Sequence, residues 1–420
     1  MLATAASSPV SIRSGETLEN NSLYYSTGTD SSRSLTNLYV PQGFPNPQAP
    51  PQHRAPLFSE ISSEPSHLRP GNKVLLQDHS TTLNLYRLNA KKSSDPTVQF
   101  DFANFIIETV PSDESLLKEA IAILRKLADK GYPDAQYFLA DCYSQGTGVK
   151  GGERDMDKAF PLFHMAAKHG HTEAAWRTAE CYEHGLGTKP DAAKAVQFLR
   201  KAASSSHPGA MLRLAKANLE PSLGLPLSPR EGIKWLKRAV EHSTTKFNCA
   251  PFELAQLHES GYKDVIFQDF PYVVQLLCMG SDLGHAECST KLGEAYEYGN
   301  IGCPVDAGLS IHYYTLAAMA GHAGAMYSLC AWYMCGAPAI LAKNEAEAYE
   351  WAKKAAEAGL AKAEYAVGFF LESGIGCVRD ALEANLWYVR AAEHGEERAR
   401  NRLADNNSAA AAEAAAAAAS

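Results

Sequence analysis

The chain has 420 residues, a net charge of −8, 45% apolar and 20% charged residues, the balance of a soluble protein with room for a large core. The acidic balance excludes a dominant nucleic-acid footprint, because such proteins concentrate Lys and Arg against the phosphate backbone. No stretch approaches the ~18 consecutive apolar residues of a membrane span, and the first residues carry no leader pattern; nine Cys without a C-x-x-C pair fit reduced thiols in the cytosol better than disulfides or a zinc site.

Residues 1–80 are rich in Ser, Thr, Asn, Pro and Gln and show no helical or strand period, the composition of a disordered arm. Its patches "SLYYSTG" and "TNLYV" read first as unstructured spacer, with short linear motifs as the alternative. Next, "VQFDFANFIIET" and "DESLLKEAIAILRKLADKG" read as a first, less regular helix pair.

From there the chain repeats. A small residue recurs at Val98, Ala135, Ala174, Ala210, Ala250, Cys288, Ala325, Ala363 and Ala399, at intervals of 37, 39, 36, 40, 38, 37, 38 and 36 residues. Such a period marks a solenoid. Eight positions after this landmark come Tyr143, Tyr182, Asn218, His258, Tyr296, Tyr333 and Leu371. Eleven after it come Gly146, Gly185, Gly261, Gly299, Gly336 and Gly374, and only the Ala210 unit, which reads Pro221 and Ser222 there, lacks the glycine. A second amphipathic segment follows and commonly ends in Ala-Ala-x-x-Gly.

Each unit is therefore helix A, a glycine turn, helix B and another glycine turn. No unit can bury its apolar stripe alone, so the expected fold is an all-α, right-handed α-solenoid of about eight helix-turn-helix repeats over residues 81–404. "RARNRL" begins a capping helix, and 405–420 is a low-complexity Ala-rich tail.

Several short stretches imitate chemistry. Gly146 with Gly148, Gly185 with Gly187, and Gly374 with Gly376 suggest a phosphate loop. They share one repeat position, however, lack the P-loop spacing, and suit a helix C-terminus that needs positive φ. Cys303 and Cys377 stand where Val149 stands in an earlier unit and pin the turn, while Cys142, Cys181 and Cys330 fall among core positions of helix A. His171, His285 and His322 follow the glycine that ends helix B and read as turn histidines, not a metal clip. The Ser-x-x-Lys of Ser115 to Lys118 lacks the companion motifs of penicillin-recognising enzymes. No catalytic, cofactor or metal residue is expected.

What remains is surface. Positions three and six after the landmark point away from the packing residues and are expected to line a concave wall: Arg177 and Glu180, Arg213 and Lys216, Glu253 and Gln256, Lys291 and Glu294. A mixed-charge groove of this kind suits a peptide or protein partner more than a nucleic acid, and for any one of these residues a solvated face without a partner is the equal alternative.

The unit resembles the Sel-one-like repeat, a tetratricopeptide relative. Phrases such as "GYPDAQYFLADCYSQGTG", "KAFPLFHMAAKHGHTEAAWRTAECYEHG", "CPVDAGLSIHYYTLAA" and "EAYEWAKKAAEAGLAKAEYAVGFFLESGIGC" resemble the fungal chitin synthase activators from about Tyr86 to Leu403. That resemblance implies a non-catalytic adaptor without cofactors, bound to a membrane-embedded chitin synthase catalytic subunit. It implies placement at the inner face of the plasma membrane at septum or growth sites, with a septin-associated cortical scaffold nearby and membrane contact only through the partner. Some members end in a prenylation signal; the last Cys here is Cys377, so that route is not expected. The competing readings are a Sel-one-like scaffold for a quality-control or signalling complex, and a thiol or serine hydrolase.

Overall fold

The computed structural model describes residues 79–109, 113–147, 152–406 and 408. The expected arm at 1–80, apart from its last two residues, lies outside the described residues, as do Gly148, Val149 and the tail after Ser408. The chain divides after Leu75, and every named helix lies in the unit Leu76–Ser420.

One helix absent from the sequence reading, α1 (His79–Lys92), comes first. The opening pairs are α2 (Pro96–Thr109) with α3 (Glu114–Asp129), α4 (Pro133–Gln145) with α5 (Met156–Lys168), α6 (Thr172–His184) with α7 (Ala192–Ser204), and α8 (Pro208–Leu219) with α9 (Pro229–Glu241). Then come α10 (Cys249–Ser260) with α11 (Phe270–Asp282), α12 (Ala286–Tyr298) with α13 (Ala307–Met319), α14 (Ala323–Cys335) with α15 (Glu345–Glu357), and α16 (Ala361–Ser373) with α17 (Ala381–Glu393). A final helical stretch at 397–406 contains "RARNRL". Helices pack almost entirely on their sequence neighbours, which is the one-dimensional logic of a solenoid. The landmark residues from Ala135 to Ala399 are at most 2% exposed, whereas Val98 in the irregular first pair is only half-buried.

The repeated residues build the two turns of each unit. At the A-to-B turn, the carbonyl of the eighth residue after the landmark accepts the N–H of the residue that caps helix B. Tyr143 thus receives Asp155, Tyr182 receives Asp191, Tyr296 receives Asp306 and Leu371 receives Asp380, at 2.8–2.9 Å. The side chains of these aspartates then accept N–H groups in the first turn of helix B, satisfying donors that a helix start leaves free. At the B-to-A turn the capping is done by histidine. Nδ1 of His171, His207, His285 and His322 accepts the N–H of Ala174, Ala210, Cys288 and Ala325 at 3.0–3.3 Å.

The Gly-x-Gly turns have two parts. Gly185 and Gly374 close helix A in the left-handed region. Gly187 and Gly376, at φ 64° and 68°, press on the first residue of the preceding B helix, where a Cβ would run into the carbonyl oxygens of Met156 and Glu345. The pair of glycines is thus a packing device repeated along the array.

One register position separates two units in an instructive way. Gln136 is fully buried; its Nε2 donates to the Ala128 carbonyl at 3.1 Å and its Oε1 lies 3.2 Å from His169 Nδ1. The same position in α16 is Glu364, 1% exposed, with Oε2 2.8 Å from His394 Nδ1 and Oε1 without a partner among the described residues. A buried acceptor left unpaired costs free energy that a donor would recover. Glu364→Gln is expected to raise stability by about 1 kcal/mol, read as an increased urea midpoint at unchanged slope, because the amide can donate as Gln136 does.

One contact skips a whole unit. The turn between α9 and α10 places Lys246 Nζ 2.8 Å from Glu173 in α6, and Phe247 packs edge-on against His207, whose other face stacks on Trp176. His207 Nε2 is 2.9 Å from the same carboxylate. Burial alone would raise the Glu173 carboxyl, but the hydrogen bonds from His207 and Lys246 outweigh it and hold it down to about 2. A depressed folded value adds stability above the ordinary 4.5, and that stability is lost as pH falls from 4.5 towards 2. Glu173→Gln is expected to lower the thermal midpoint at neutral pH and to flatten its fall through that acid window.

Candidate partner-binding wall

The structure places all eight sequence-derived wall residues on successive A helices, half-buried or exposed. What the spacing did not reveal is that most are already engaged sideways. Arg177 in α6 bonds Glu180 at 3.1 Å and lies 3.7 Å from Asp141 in α4, with its guanidinium over the Phe163 ring. Arg213 in α8 grips Glu183 of α6 through Nε and Nη2 at 3.0 and 2.5 Å, and its Nη1 reaches Ser222 at 3.3 Å. Lys216 bonds Glu253 of α10 at 2.6 Å, and Lys291 of α12 bonds Glu259 of α10 at 2.7 Å.

These contacts form a ladder of ion pairs from α4 to α12, each rung joining one A helix to the next. Arg402 in the stretch 397–406 repeats the device with Glu372 of α16 at 2.5 Å, and its hydrogen bonds hold that carboxyl below its usual range. Single exposed pairs contribute little, but the bidentate Arg213–Glu183 rung is half-buried and fixes its two helices. Glu294 and Gln256 differ from the rest: both are exposed and neither belongs to an ion pair or side-chain hydrogen bond among the described residues. They are the wall positions without a lateral tie among the described residues.

Between α12 and α16 the wall changes character. The positions that carry charge elsewhere are Ser328 and Ala331 in α14, and Ala366 and Phe369 in α16. No ion pair joins α12, α14 and α16 among the described residues. The sequence reading, which sought charged positions, passed over this neutral section; Phe369, 43% exposed, was its visible signal.

The imitators of chemistry resolve into packing. Burial pushes the thiols of Cys142, Cys288 and Cys330 up to about 12 and that of Cys181 up to about 11, so the thiolate a nucleophile requires is suppressed. Cys303 is buried and Cys377 half-buried, and burial raises both. Lys118 turns to Glu114 at 2.8 Å rather than to Ser115. His171, His285 and His322 are helix caps, and the same role falls to His207, which follows Ser206 instead of a glycine and so escaped the pattern. No cluster of His, Cys, Asp or Glu among the described residues could hold a metal ion, and none of the described helices is long and apolar enough to cross a membrane.

Helix pairs stacked in sequence order and joined by lateral rungs define a repeat scaffold. The Sel1 repeat model matches residues 133–171, 172–207, 208–243, 286–322, 323–360 and 361–396, more than half of the sequence, and the chain belongs to the Sel1 repeat family. The unmatched interval between residues 243 and 286 contains the α10–α11 pair, whose A helix ends at Gly261 with an extended ψ of 151°, as α14 in a matched unit ends at Gly336 with 163°.

Two curated fungal relatives, both named "Chitin synthase regulator SKT5", bear out the family resemblance. The one from Malassezia restricta is 45% identical over 84% of this chain and 26% of its own length; that from Saccharomyces cerevisiae is 38% identical over 88% of this chain and 56% of its own. The chain therefore spans about a quarter and just over half of these relatives. A Sel1 repeat protein from Oxalobacter formigenes shares the fold at 24% identity and a TM-score of 0.54, covering 77% of this chain and 90% of that one.

Proposed function

We propose that this chain is a non-catalytic adaptor that binds a membrane-embedded chitin synthase catalytic subunit and promotes its activity or its placement at septum and growth sites. The observation that carries the reading is the kinship, at 45% identity over 84% of the chain, with a relative named as a chitin synthase regulator. The wall supports it: a solenoid whose A helices are tied into a stiff row offers a preformed surface at low ordering cost. The client's cytosolic segment would lie along the exposed positions Gln256 and Glu294 and across the neutral section at Ala331 and Phe369.

Co-precipitation of the chain with chitin synthases, together with wall chitin measured in a deletion strain, tests the reading. Association and reduced chitin are expected; no association with unchanged chitin would discard it. Glu294→Arg with Phe369→Asp should weaken association while leaving the thermal midpoint unchanged. Arg213 is the wrong residue for that purpose, since breaking its rung would disturb the scaffold itself.

A further inference from the structure

The outer faces of the B helices differ from unit to unit at their second, sixth and ninth residues. In α15 these are Ala346, Glu350 and Lys353; in α9 all three are cations, Arg230, Lys234 and Lys237, every one exposed. Lys234 has only a loose partner, Glu231 at 3.9 Å, and Arg230 and Lys237 belong to no ion pair among the described residues. Arg238, also exposed, rests over the Trp235 ring.

Large apolar side chains flank this basic stripe. Phe267, in the turn between α10 and α11, is 77% exposed, and Phe270, at the start of α11, is 40% exposed. Lys237, His258, Phe267 and Phe270 line one shallow, open depression, so the rings stand beside the last cation of the stripe. One acidic residue, Glu231, lies within the stripe as the loose partner of Lys234, and the others sit at its edges: Glu241 at the end of α9, Asp264 in the turn, and Asp269 occupied in capping Tyr272.

Cations in a row with exposed aromatic rings beside them match the interface of an anionic bilayer, where headgroups attract Lys and Arg and rings enter the boundary layer. A protein partner would be better served by closed pockets for anchor side chains, whereas this depression is open and Phe267 at its rim is mostly exposed. We propose that the outer face of α9, with the Phe267–Phe270 segment, is a docking surface for a bilayer rich in acidic lipid. The surface stands apart from the chitin synthase reading and from the A-helix wall, so either can fail alone.

The test is co-sedimentation of the full chain with vesicles of phosphatidylcholine alone or mixed with phosphatidylserine, across a salt series. Binding to the acidic vesicles only, weakening with salt, is expected. Lys234→Glu with Lys237→Glu should reduce it on the order of thirtyfold or more, given roughly fivefold per cation at the surface. Phe267→Ser should reduce it severalfold without changing the salt dependence. Leu386→Ser, on the exposed apolar face of α17, should leave it unchanged, and all variants should keep the parent thermal midpoint. The proposal is overturned by equal binding to neutral vesicles, by no binding, or by charge reversal without effect. Loss of binding through Leu386→Ser, or a soluble poly-glutamate peptide bound as tightly as the vesicles and indifferent to Phe267→Ser, would overturn it equally.

Discussion

Trp387→Ala is expected to destabilise the last helix pair by ~3–5 kcal/mol and to open it while the rest of the array stays folded. Trp387 in α17 is 8% exposed and belongs to the cluster formed with Tyr349, Phe370 and Ala384. Its indole N–H reaches Glu383 at 3.4 Å, and the Arg390 guanidinium lies 4.7 Å from the ring centroid. Removing the ring leaves a cavity between α15, α16 and α17 that alanine-rich neighbours cannot fill by collapse. In a solenoid the loss is felt by nearest neighbours, and the pair near the end has few of them. Limited proteolysis should therefore cut first between residues about 360 and 400, and hydrogen exchange should rise there before it rises in α4–α9. A single cooperative transition that shifts as a whole, or a loss under about 1 kcal/mol, would show that α16–α17 draws its stability from elsewhere.

The repeat period, the two glycine turns and the core faces were legible because each depends on residue type at a fixed spacing. Small residues at the landmark survive in every unit since a larger one would separate the helices, and that constraint writes itself into the sequence. The ladder was not legible for the opposite reason. Arg213 reaches Glu183, 30 residues away, and Lys291 reaches Glu259, 32 away; long side chains select partners by lateral helix spacing, which no periodic pattern encodes. The wall was thus found and its occupancy missed: six of the eight residues expected to face a partner also serve their neighbours. The Lys246–Glu173 contact was hidden still further, since it spans 73 residues and joins units that the repeat logic treats as strangers. His207 shows how a rule built on one residue can fail locally, for Ser206 takes the positive φ that glycine takes elsewhere and the cap behind it was overlooked.

Gly293→Ala is expected to lower stability by ~1–3 kcal/mol, even though alanine is the better helix former by about 1 kcal/mol. An added Cβ would sit 2.7 Å from the ring of Tyr314, which is 1% exposed and cannot move aside. The same apposition recurs at Gly368, where the ring of Tyr388 would lie 2.8 Å away, and in both units the tyrosine hydroxyl donates to a glutamate of helix A, Glu297 or Glu372, at 2.7 Å. The register explains the coincidence. Five residues after the landmark and at the eighth residue of helix B, the other pairs read Ala140 with Phe163, Ala179 with Leu199, Ala215 with Leu236, Ala255 with Leu277, and Cys330 with Ala352. Gly with Tyr fills about the same volume as Ala with Leu, so in these units one side shrinks where the other grows, while Cys330 with Ala352 is smaller and departs from the rule. The double variant Gly293→Ala with Tyr314→Leu recreates the pairing of α6–α7 and is expected to recover most of the loss, short of the ~1 kcal/mol carried by the Tyr314–Glu297 hydrogen bond. Urea midpoints of the two single variants and the double form the cycle that measures this coupling. Strictly additive losses would mean that glycine and tyrosine vary independently in this array.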